Sequence, residues 1–453
     1  MNVSFLQDLI QTITQRDALS RRQAAARLPK DHQGMVEACT ELMESDGEAS
    51  SIALAQRALD LYELLPAAER ERFFQVLAED FSADPAAIDA AYQAYRERGD
   101  GRSLSALFQA CEPRRQELLR RLNLPAGGTF ELVRMREDLL RLLPEHPEFE
   151  AVDADFAHLF GSWFNRGFLV LRRIDWHTPA AILEKIIDYE AVHAISDWSD
   201  LRRRLDPKDR RCFAFFHPAI GDEPLIFLEV ALHKGIPDQV QGILNQQHKA
   251  VDAPERADTA AFYGISNCQR GLRGISFGNF LIKQVVLELA QELPNLRNFV
   301  TLSPVPGFRR WLQELVDDPS EPLDDDTRTL LAGLETPDWH RDETLSGKLK
   351  AVMLPLAAHY LTAARNEEGQ PLNPVARFHL GNGARLHRIN WLGDTSGKGL
   401  QQGAGLMVNY LYVLDEIERN HEQFTARGTI ATSSEVRDLA RRARKILKEA
   451  ARG

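Results

Sequence analysis

The stretch 259–308, TAAFYGISNCQRGLRGISFGNFLIKQVVLELAQELPNLRNFVTLSPVPGF, contains the pattern that decides the fold. It predicts a strand over 260–265, a loop rich in glycine and arginine, a helix, and a second short strand that ends at the letters LSP. In the loop, Gly271, Gly274 and Gly278 leave backbone amides accessible at the start of the helix. Unpaired N–H groups and the positive end of the helix dipole favour an anion there. The stretch therefore predicts a phosphate-binding loop.

The loop matches neither of two common nucleotide-binding motifs. It has no GxxxxGK[ST] pattern, and its glycine spacing differs from GxGxxG. Arg270 and Arg273 supply positive charge beside the glycines, and Lys283 follows in the helix. The remaining candidate is the pyrophosphate loop of acetyltransferase-like folds, in which coenzyme A docks beside a splayed strand.

Two segments carry a specific family resemblance. The stretch above, with FLIKQVV and TLSPVPGF inside it, resembles the malonyl-CoA decarboxylase family, and so does NPVARFHLGNGARLHRINWLGD (373–394), continued by GLMVNYLY (405–412). More loosely, the resemblance extends over nearly the whole chain. It implies conversion of malonyl-CoA to acetyl-CoA and carbon dioxide, with coenzyme A as part of the substrate and no separate cofactor.

The composition limits the class of protein. The 453 residues predict two or three domains, and 44% hydrophobic with 27% charged residues is typical of a globular chain. A net charge of −11 argues against nucleic-acid binding, which needs a basic surface. No run approaches 18 apolar residues, so we expect no membrane association. The chain lacks a signal-peptide pattern and a terminal Ser-Lys-Leu, and we expect a cytoplasmic protein.

Residues 1–150 predict a helical bundle domain with a scaffold or oligomer-forming role. Apolar residues recur at helical spacing over 5–13 and again over 52–61. Asp84 is placed to cap a helix whose first turn holds Pro85, and Gly99 is placed to end it. We expect a homo-oligomer that assembles through this domain.

Residues 151–453 predict the catalytic domain. Two apolar runs in RCFAFFHPAIGDEPLIFLEVAL (211–232) indicate a strand pair. Further strands are expected at 375–380, 386–391 and 406–414, followed by a closing helix over 433–450. The predicted fold class is α+β: an all-helical N-terminal domain followed by an acetyltransferase-like (GNAT-type) mixed α/β domain.

Decarboxylation of a malonyl thioester requires hydrogen-bond donors for the enolate oxygen and a proton for the α-carbon. Taken alone, a histidine between Phe378 and Leu380 is more often a packed core side chain. The family's catalytic histidine falls on His379, and its second catalytic residue falls on Ser303, as a proton acceptor or an orienting hydrogen-bond donor. The resemblance therefore makes His379 the proton donor to the enolate.

The resemblance also assigns substrate-binding residues. Those implied to bind malonyl-CoA are Arg270, Arg273, Gly274, Ile275, Ser276, Phe277, Gly278, Asn279 and Tyr412. At two positions this chain departs from the family: it has Ser276 where relatives carry glutamate, and Gly264 where they carry serine. The thirteen histidines form no HExxH or HxH pattern, so we expect no metal site.

Two other functions remain open from the sequence. A CoA-dependent acyltransferase would use the same phosphate loop but would need an acceptor site and a base for an amine. A non-catalytic CoA-binding protein would keep the loop without turnover.

Overall fold

The computed structural model describes residues 31–245, 254–275, 281–318 and 323–449. The chain forms two compact units. The helical unit comprises the described residues of Met1–Val170, Phe216–Glu223 and Gln269–Phe277, and the sheet unit comprises those of Leu171–Phe215, Pro224–Cys268 and Gly278–Gly453. The apolar stripe predicted over 5–13 lies outside the described residues.

The helical unit contains eight helices among its described residues. They are α1 (His32–Glu44), α2 (Glu48–Leu64), α3 (Ala67–Glu79), α4 (Pro85–Arg98), α5 (Gly101–Cys111), α6 (Arg114–Leu122), α7 (Gly128–Leu142) and α8 (Glu150–Trp163). Their apolar stripes bury aromatic side chains such as Phe73, Phe74 and Phe156, each fully shielded from solvent. Helices of this kind gain most of their stability from such burial. The last helix, α8, begins where we predicted the domain boundary, and the division into domains stays a prediction.

The predicted start and end signals of α4 are confirmed. The Asp84 side chain accepts a hydrogen bond from the amide of Ala86, and Pro85 occupies the first turn. Gly99 ends the helix in the left-handed conformation at φ 63°.

The sheet unit is built on one mixed sheet of eight described strands. The strands are β1 (Val170–Ile174), β2 (Arg210–Phe216), β3 (Pro224–His233), β4 (Thr259–Asn267), β5 (Asn298–Thr301), β6 (Ser303–Pro304), β7 (Arg385–Asn390) and β8 (Met407–Tyr412). Their order is β1-β2-β3-β4-β5-β8-β6, and β7 also pairs with β8. The strand pair predicted over 211–232 is present as β2 and β3.

Eleven described helices accompany this sheet along the chain. They are α9 (Ala180–Tyr189), α10 (Trp198–Leu205), α11 (Gln241–Leu244), α12 (Leu281–Glu292), α13 (Phe308–Asp317), α14 (Asp325–Ala332), α15 (Glu343–Thr362), α16 (Pro374–Gly381), α17 (Gly397–Gly403), α18 (Ile417–Arg427) and α19 (Ser434–Glu449). The closing helix predicted from the sequence is confirmed as α19.

A parallel pair of strands separates in the middle of the sheet. β4 and β5 pair in parallel over four positions, from Thr259 opposite Asn298 to Phe262 opposite Thr301. The amide of Leu302 still donates to the Phe262 carbonyl at 2.8 Å. Beyond that point β4 keeps its pairing with β3 on the other side, while the segment after β5 passes into β6 and pairs with β8. This splayed pair is the feature expected of an acetyltransferase-like sheet, and the predicted fold class is confirmed.

One predicted strand is wrong. The segment 375–380 lies in helix α16, whereas the neighbouring strands over 386–391 and 406–414 are confirmed as β7 and β8. The residues Asn373 and Pro374 explain the helix, because Asn373 caps it by accepting from the Ala376 amide and Pro374 occupies the first helical position. These start signals outweigh the short apolar alternation on which the strand prediction rested.

Candidate active site

His379 lies in the last turn of α16. The buried residues of this helix are Ala376, His379 and Leu380, at the spacing of three and four that places them on one face. The His379 side chain is almost completely buried, with 2% of its surface exposed. The helix therefore holds the imidazole in the protein interior rather than on a strand face.

Ser303 lies on β6, directly after the splayed strands separate. It pairs with Val408 of β8, and 6% of its surface is exposed. Asn373 ties this segment to the histidine helix, because its side-chain amide donates to the Pro306 carbonyl at 2.9 Å while its oxygen caps α16. One asparagine thus positions both candidate catalytic residues.

His379 and Ser303 meet in a hydrogen-bonded chain that we call the histidine cluster, formed by His379, Ser303, Thr301 and Tyr412. The Ser303 hydroxyl donates to Thr301 Oγ1 at 2.9 Å, and Ser303 Oγ lies 3.1 Å from His379 Nε2. Since the serine hydrogen is directed to Thr301, Nε2 carries the hydrogen that completes the second bond. His379 Nδ1 then accepts from the Tyr412 hydroxyl at 2.8 Å. The arrangement selects one tautomer of the neutral imidazole.

Burial determines the charge state of this cluster. Desolvation lowers the pKa of His379 to about 3, so the imidazole is neutral near neutral pH. Burial likewise raises the pKa of Tyr412 well above its ordinary value. The His379 ring also stacks on Tyr410, with ring centroids 4.6 Å apart. The cluster therefore contains hydrogen bonds but no net charge.

A cavity of about 250 Å³ opens beside this cluster, between the separated strands. The segment after β5 contributes Leu302, Ser303 and Pro304, and α16 contributes His379 and Phe378. The residues of β4 that line it are Phe262, Tyr263, Ile265 and Asn267. The lining is mostly apolar, with a few convergent polar groups, as in small-molecule sites generally.

A second buried polar group, the carboxylate cluster, is formed by Glu190, Arg204, Glu229, Tyr263 and Ser266. Arg204 Nη1 lies 3.3 Å from Glu229 Oε2, and the Tyr263 hydroxyl donates to Glu229 Oε1 at 3.4 Å. Glu190 accepts from the Ser266 hydroxyl at 3.0 Å. Burial, followed by the negative charge of Glu190, raises the pKa of Glu229 to about 8. Because Tyr263 also lines the cavity, this cluster supports one of its walls.

The carboxylate cluster explains one departure from the family pattern. A Cβ added to Gly264 would lie 2.4 Å from Glu229 Oε2. A serine side chain at this position would collide with the carboxylate, so Glu229 already fills the space. Ser276, the other departure, lies outside the described residues.

The predicted phosphate loop belongs to the helical unit. Arg270 and Arg273 have exposed side chains, available to an anionic ligand. Gly271 has a packing role, because a Cβ there would lie 1.8 Å from the Val133 carbonyl oxygen. The buried Arg136 donates to the carbonyls of Gly271 and Arg273 at 2.8 and 2.9 Å and so anchors the turn. Gly274 has a positive φ of 81°.

The other predicted loop residues lie outside the described residues: Ser276, Phe277, Gly278 and Asn279. Lys283 of α12 forms an ion pair with Glu418, at 2.6 Å between Nζ and Oε1. Its positive charge is therefore partly compensated within the sheet unit.

Sequence reasoning missed three residues that organise the site. Thr301 accepts from both Ser303 and the Tyr410 amide, at 2.9 and 3.1 Å. The capping role of Asn373 has a signal in the sequence, because Asn-Pro ahead of an apolar segment marks the start of a helix. Nothing in the sequence indicates the roles of Thr301 and Arg136, because their partners are distant in the chain.

The fold and the site together define a protein of acetyltransferase-like architecture with a buried histidine–serine pair at a cavity between splayed strands. The sequence profile of the malonyl-CoA decarboxylase C-terminal domain matches residues 167–450, and that of the malonyl-CoA decarboxylase N-terminal domain matches residues 81–164. The chain belongs to the malonyl-CoA decarboxylase family of enzymes.

Individual relatives agree with this assignment. Mitochondrial malonyl-CoA decarboxylase of Anser anser anser is 37% identical over 399 residues, covering 81% of this chain and 79% of the relative. The enzyme of Rattus norvegicus is 34% identical over 411 residues, covering 83% and 82%. The crystal structure of malonyl-CoA decarboxylase from Rhodopseudomonas palustris is 53% identical, with a TM-score of 0.88, and covers 90% of this chain and 99% of that one. Within the described part of the chain, every helix is too short or too polar to cross a membrane.

Proposed function

We propose that this chain converts malonyl-CoA to acetyl-CoA and carbon dioxide, and that His379 protonates the intermediate enolate. The observation that carries the proposal is the contact between His379 Nε2 and Ser303 Oγ, 3.1 Å apart, on the wall of the cavity between the splayed strands. Membership of the decarboxylase family supports the same reaction.

The reaction needs one proton and no acyl-enzyme. The bond between the carboxylate carbon and the α-carbon breaks, its electron pair moves into the thioester to form an enolate, and carbon dioxide leaves. The α-carbon then takes a proton from His379 Nε2, with Ser303 orienting that N–H. This transfer leaves the imidazole neutral, and the ring takes up its next proton from water when another malonyl-CoA binds.

Because the pKa of His379 is low, the imidazole gains the proton that it donates when the substrate binds. Burial alone lowers the pKa of His379, since no nearby charge contributes. The malonyl carboxylate brings a negative charge, which raises the pKa of a neighbouring imidazole. Tyr412 can hydrogen-bond to both protonation states of His379. Its hydroxyl donates to Nδ1 of the neutral ring, and after the hydroxyl rotates it accepts from Nδ1–H of the protonated ring. Substrate binding and proton uptake are therefore coupled.

The phosphate loop supplies uniform binding in this proposal. Arg270→Ala or Arg273→Ala should raise KM with little change in kcat, because contacts to phosphates far from the reacting carbon stabilise ground and transition states alike. Added salt should weaken binding further, since these side chains are exposed. A change confined to kcat would contradict this role.

The decisive experiment is an assay of the full-length chain with malonyl-CoA in D2O. We expect carbon dioxide and acetyl-CoA in equal amounts, with one deuterium in the acetyl group, because the transferred proton comes from an exchangeable N–H. Proton uptake by the protein should be measured on binding of malonyl-CoA and of acetyl-CoA, which lacks the carboxylate. Only binding of malonyl-CoA should be accompanied by uptake of a proton. Acetyl transfer to an added amine without carbon dioxide release, or tight binding without turnover, would overturn the proposal.

Two further parts of the proposal concern the protein's surroundings. We infer a cytoplasmic location and a homo-oligomer assembled through the helical unit. Size-exclusion chromatography with light scattering tests the oligomer, and a monomeric mass at micromolar concentration would contradict it.

A further inference from the structure

A second concave site lies in the sheet unit, between the end of α15, the segment 428–432 and α19. Its volume is about 600 Å³, within the range that accommodates small organic ligands. It has no lining residue in common with the cavity beside His379 and Ser303. We call it the arginine groove.

Among the residues that the structure describes, the groove is lined by four arginines and by no acidic residue. The arginines are Arg365, Arg437, Arg441 and Arg444. Three of them follow one another on α19 at spacings of four and three, which places them on one helix face, and Arg365 comes from the segment after α15. Such a cluster is unusual in a chain that carries 66 acidic and 55 basic residues. Like charges held together repel each other unless an anion binds between them.

Backbone carbonyls orient two of these guanidinium groups without neutralising them. Arg365 donates to the carbonyls of Ala364 and Thr362 at 3.1 and 2.9 Å. Arg437 donates to the Thr432 carbonyl at 2.7 Å. Each guanidinium has five N–H donors, so most donors remain for a ligand. Arg365 and Arg437 are therefore held in place by neutral acceptors that leave their positive charge in the groove.

Arg441 differs in one respect, because it forms an ion pair with Asp438 on the same helix. Asp438 does not line the groove. This pair is exposed on the helix surface and contributes little binding energy, so an incoming anion competes with it easily.

Apolar and hydroxyl groups complete the groove. Ile430, Val436 and Ala440 supply apolar surface, and Thr362 and Thr432 supply hydroxyls. A free inorganic anion would contact only the arginines, whereas an organic phosphate would contact the arginines with its phosphates and the apolar side chains with its organic part. Guanidinium forks match the geometry of phosphate oxygens and bind them in pairs.

We propose that the arginine groove binds a small soluble organic diphosphate of the nucleoside diphosphate class, at a site separate from the one where decarboxylation takes place. The concave shape favours a small molecule that is enclosed on several sides over the flat surface of a membrane. The phosphates contact the arginines of α19 and Arg365, and the heterocyclic body packs on the apolar part of the groove.

Binding of ADP to the full-length chain, measured by isothermal titration calorimetry, tests the proposal. Pyrophosphate and adenosine serve as partial probes, and we expect ADP to bind more tightly than either. Arg441→Gln and Arg444→Gln should each weaken ADP binding by about tenfold, the value of one lost charge-assisted hydrogen bond. The matched control is Arg442→Gln, an exposed arginine of the same helix outside the groove, which should change the Kd by less than about twofold.

The following results would each overturn the proposal, and each is distinguishable from failure of the decarboxylase assignment. If Arg273→Ala abolishes ADP binding and the groove variants retain it, then ADP binds at the phosphate loop and not in the arginine groove. Equal losses in Arg442→Gln and Arg441→Gln would indicate a nonspecific charge effect. Sedimentation of the chain with phosphatidylglycerol vesicles, abolished by Arg444→Gln, would indicate a lipid headgroup instead.

Decarboxylase activity provides a control for the groove variants. Carbon dioxide release from malonyl-CoA without ADP should be unchanged in Arg441→Gln and Arg444→Gln, because neither residue lines the cavity beside His379. If a substitution in α19 unfolds the protein by circular dichroism, Arg365→Gln on the opposite wall provides the same test. Failure of ADP to bind the wild type at millimolar concentration would exclude the site.

Discussion

The histidine cluster and the carboxylate cluster are both buried in the sheet unit, yet they differ in charge. The first holds neutral groups, and its hydrogen bonds measure 2.8 to 3.1 Å. The second buries Arg204 against Glu229 at 3.3 Å, close to Glu190. Burial has opposite effects on the two types of group, because it disfavours whichever form is charged: it lowers the pKa of His379 and raises that of Glu229.

The difference indicates different uses. A neutral histidine flanked by two hydroxyls can gain a proton and keep both hydrogen bonds, because a hydroxyl donates or accepts. A buried arginine cannot change its charge, and its carboxylate partners are held by it. The histidine cluster therefore suits proton transfer, and the carboxylate cluster suits positioning of the cavity wall at Tyr263.

The largest expected effect is a loss of kcat on substitution in the histidine cluster. His379→Asn should lower kcat by roughly 10² to 10⁴ with substrate affinity largely retained, because a positioned acid is lost. Ser303→Ala should also be impaired, and the double variant should be little worse than the poorer single one, since the two residues act as a unit. Steady-state carbon dioxide release measures both.

The control for this prediction is His387→Asn on β7. Burial also lowers the pKa of His387, but the residue does not line the cavity. Its kcat should stay within about twofold of wild type, a change of less than about 0.5 kcal/mol in the barrier. Near-normal turnover of a folded His379→Asn protein would make His379 a packing residue.

Substitution of Arg204 in the carboxylate cluster should mainly lower the stability of the protein. Arg204→Leu should lower the free energy of unfolding by about 3 to 5 kcal/mol at pH 8, because the buried carboxylates lose the positive charge of Arg204. Urea denaturation followed by circular dichroism measures the loss. Arg203→Leu is the matched control, since Arg203 pairs with Asp200 at 3.1 Å but is 47% exposed and should cost less than about 1 kcal/mol. Equal losses in both variants would contradict the distinction.

The two clusters should make opposite contributions to the pH dependence of stability. The folded pKa of His379 lies below its unfolded value of about 6.5, so its contribution is present above that pH and is lost as pH falls towards 3. At pH 5 this loss is about 2 kcal/mol, and it should be absent in His379→Gln. The folded pKa of Glu229 is raised, so its contribution is present below about 4.5 and is lost as pH rises through about 8.

Unfolding curves of the wild type, His379→Gln and Glu229→Gln between pH 5 and 8 check these signs. Relative to the wild type, His379→Gln should gain stability as the pH falls from 6.5 to 5, and Glu229→Gln should gain stability as the pH rises from 5 to 8. Parallel curves for all three proteins would show that neither group has a shifted pKa.

The smallest effect concerns Asn373, which links the segments of the two candidate catalytic residues. Asn373→Ala should cost about 1 to 2 kcal/mol in unfolding free energy, because it removes the helix cap and the bond to Pro306. Its kcat should fall less than that of His379→Asn. Asn373→Ser keeps a capping oxygen without the amide donor, so it should recover part of the stability but not the kcat. If Asn373→Ser fully recovers both the stability and the kcat, then Asn373 acts only as a helix cap.

Much of the fold follows from local signals. The strands over 260–265 and 386–391, the Asp84 cap and the closing helix were all predicted correctly, since each depends on residues near one another in the chain. The segment 375–380 was predicted wrongly because its short alternation suits either structure, and the Asn-Pro start signal was overlooked. Periodicity cannot separate a strand from a helix of only eight residues.

The sequence by itself determined most of the order of elements, the resemblance to the family, and the choice of His379 and Ser303 as candidates. Only the tertiary structure decided that these two residues, 76 positions apart, lie within hydrogen-bond distance. It also decided that Tyr412 and Thr301 select the tautomer, and that burial keeps the imidazole neutral. The reason is physical: residue identity sets which groups ionise, but the energy of a charge depends on the solvent and partners that distant parts of the chain leave around it.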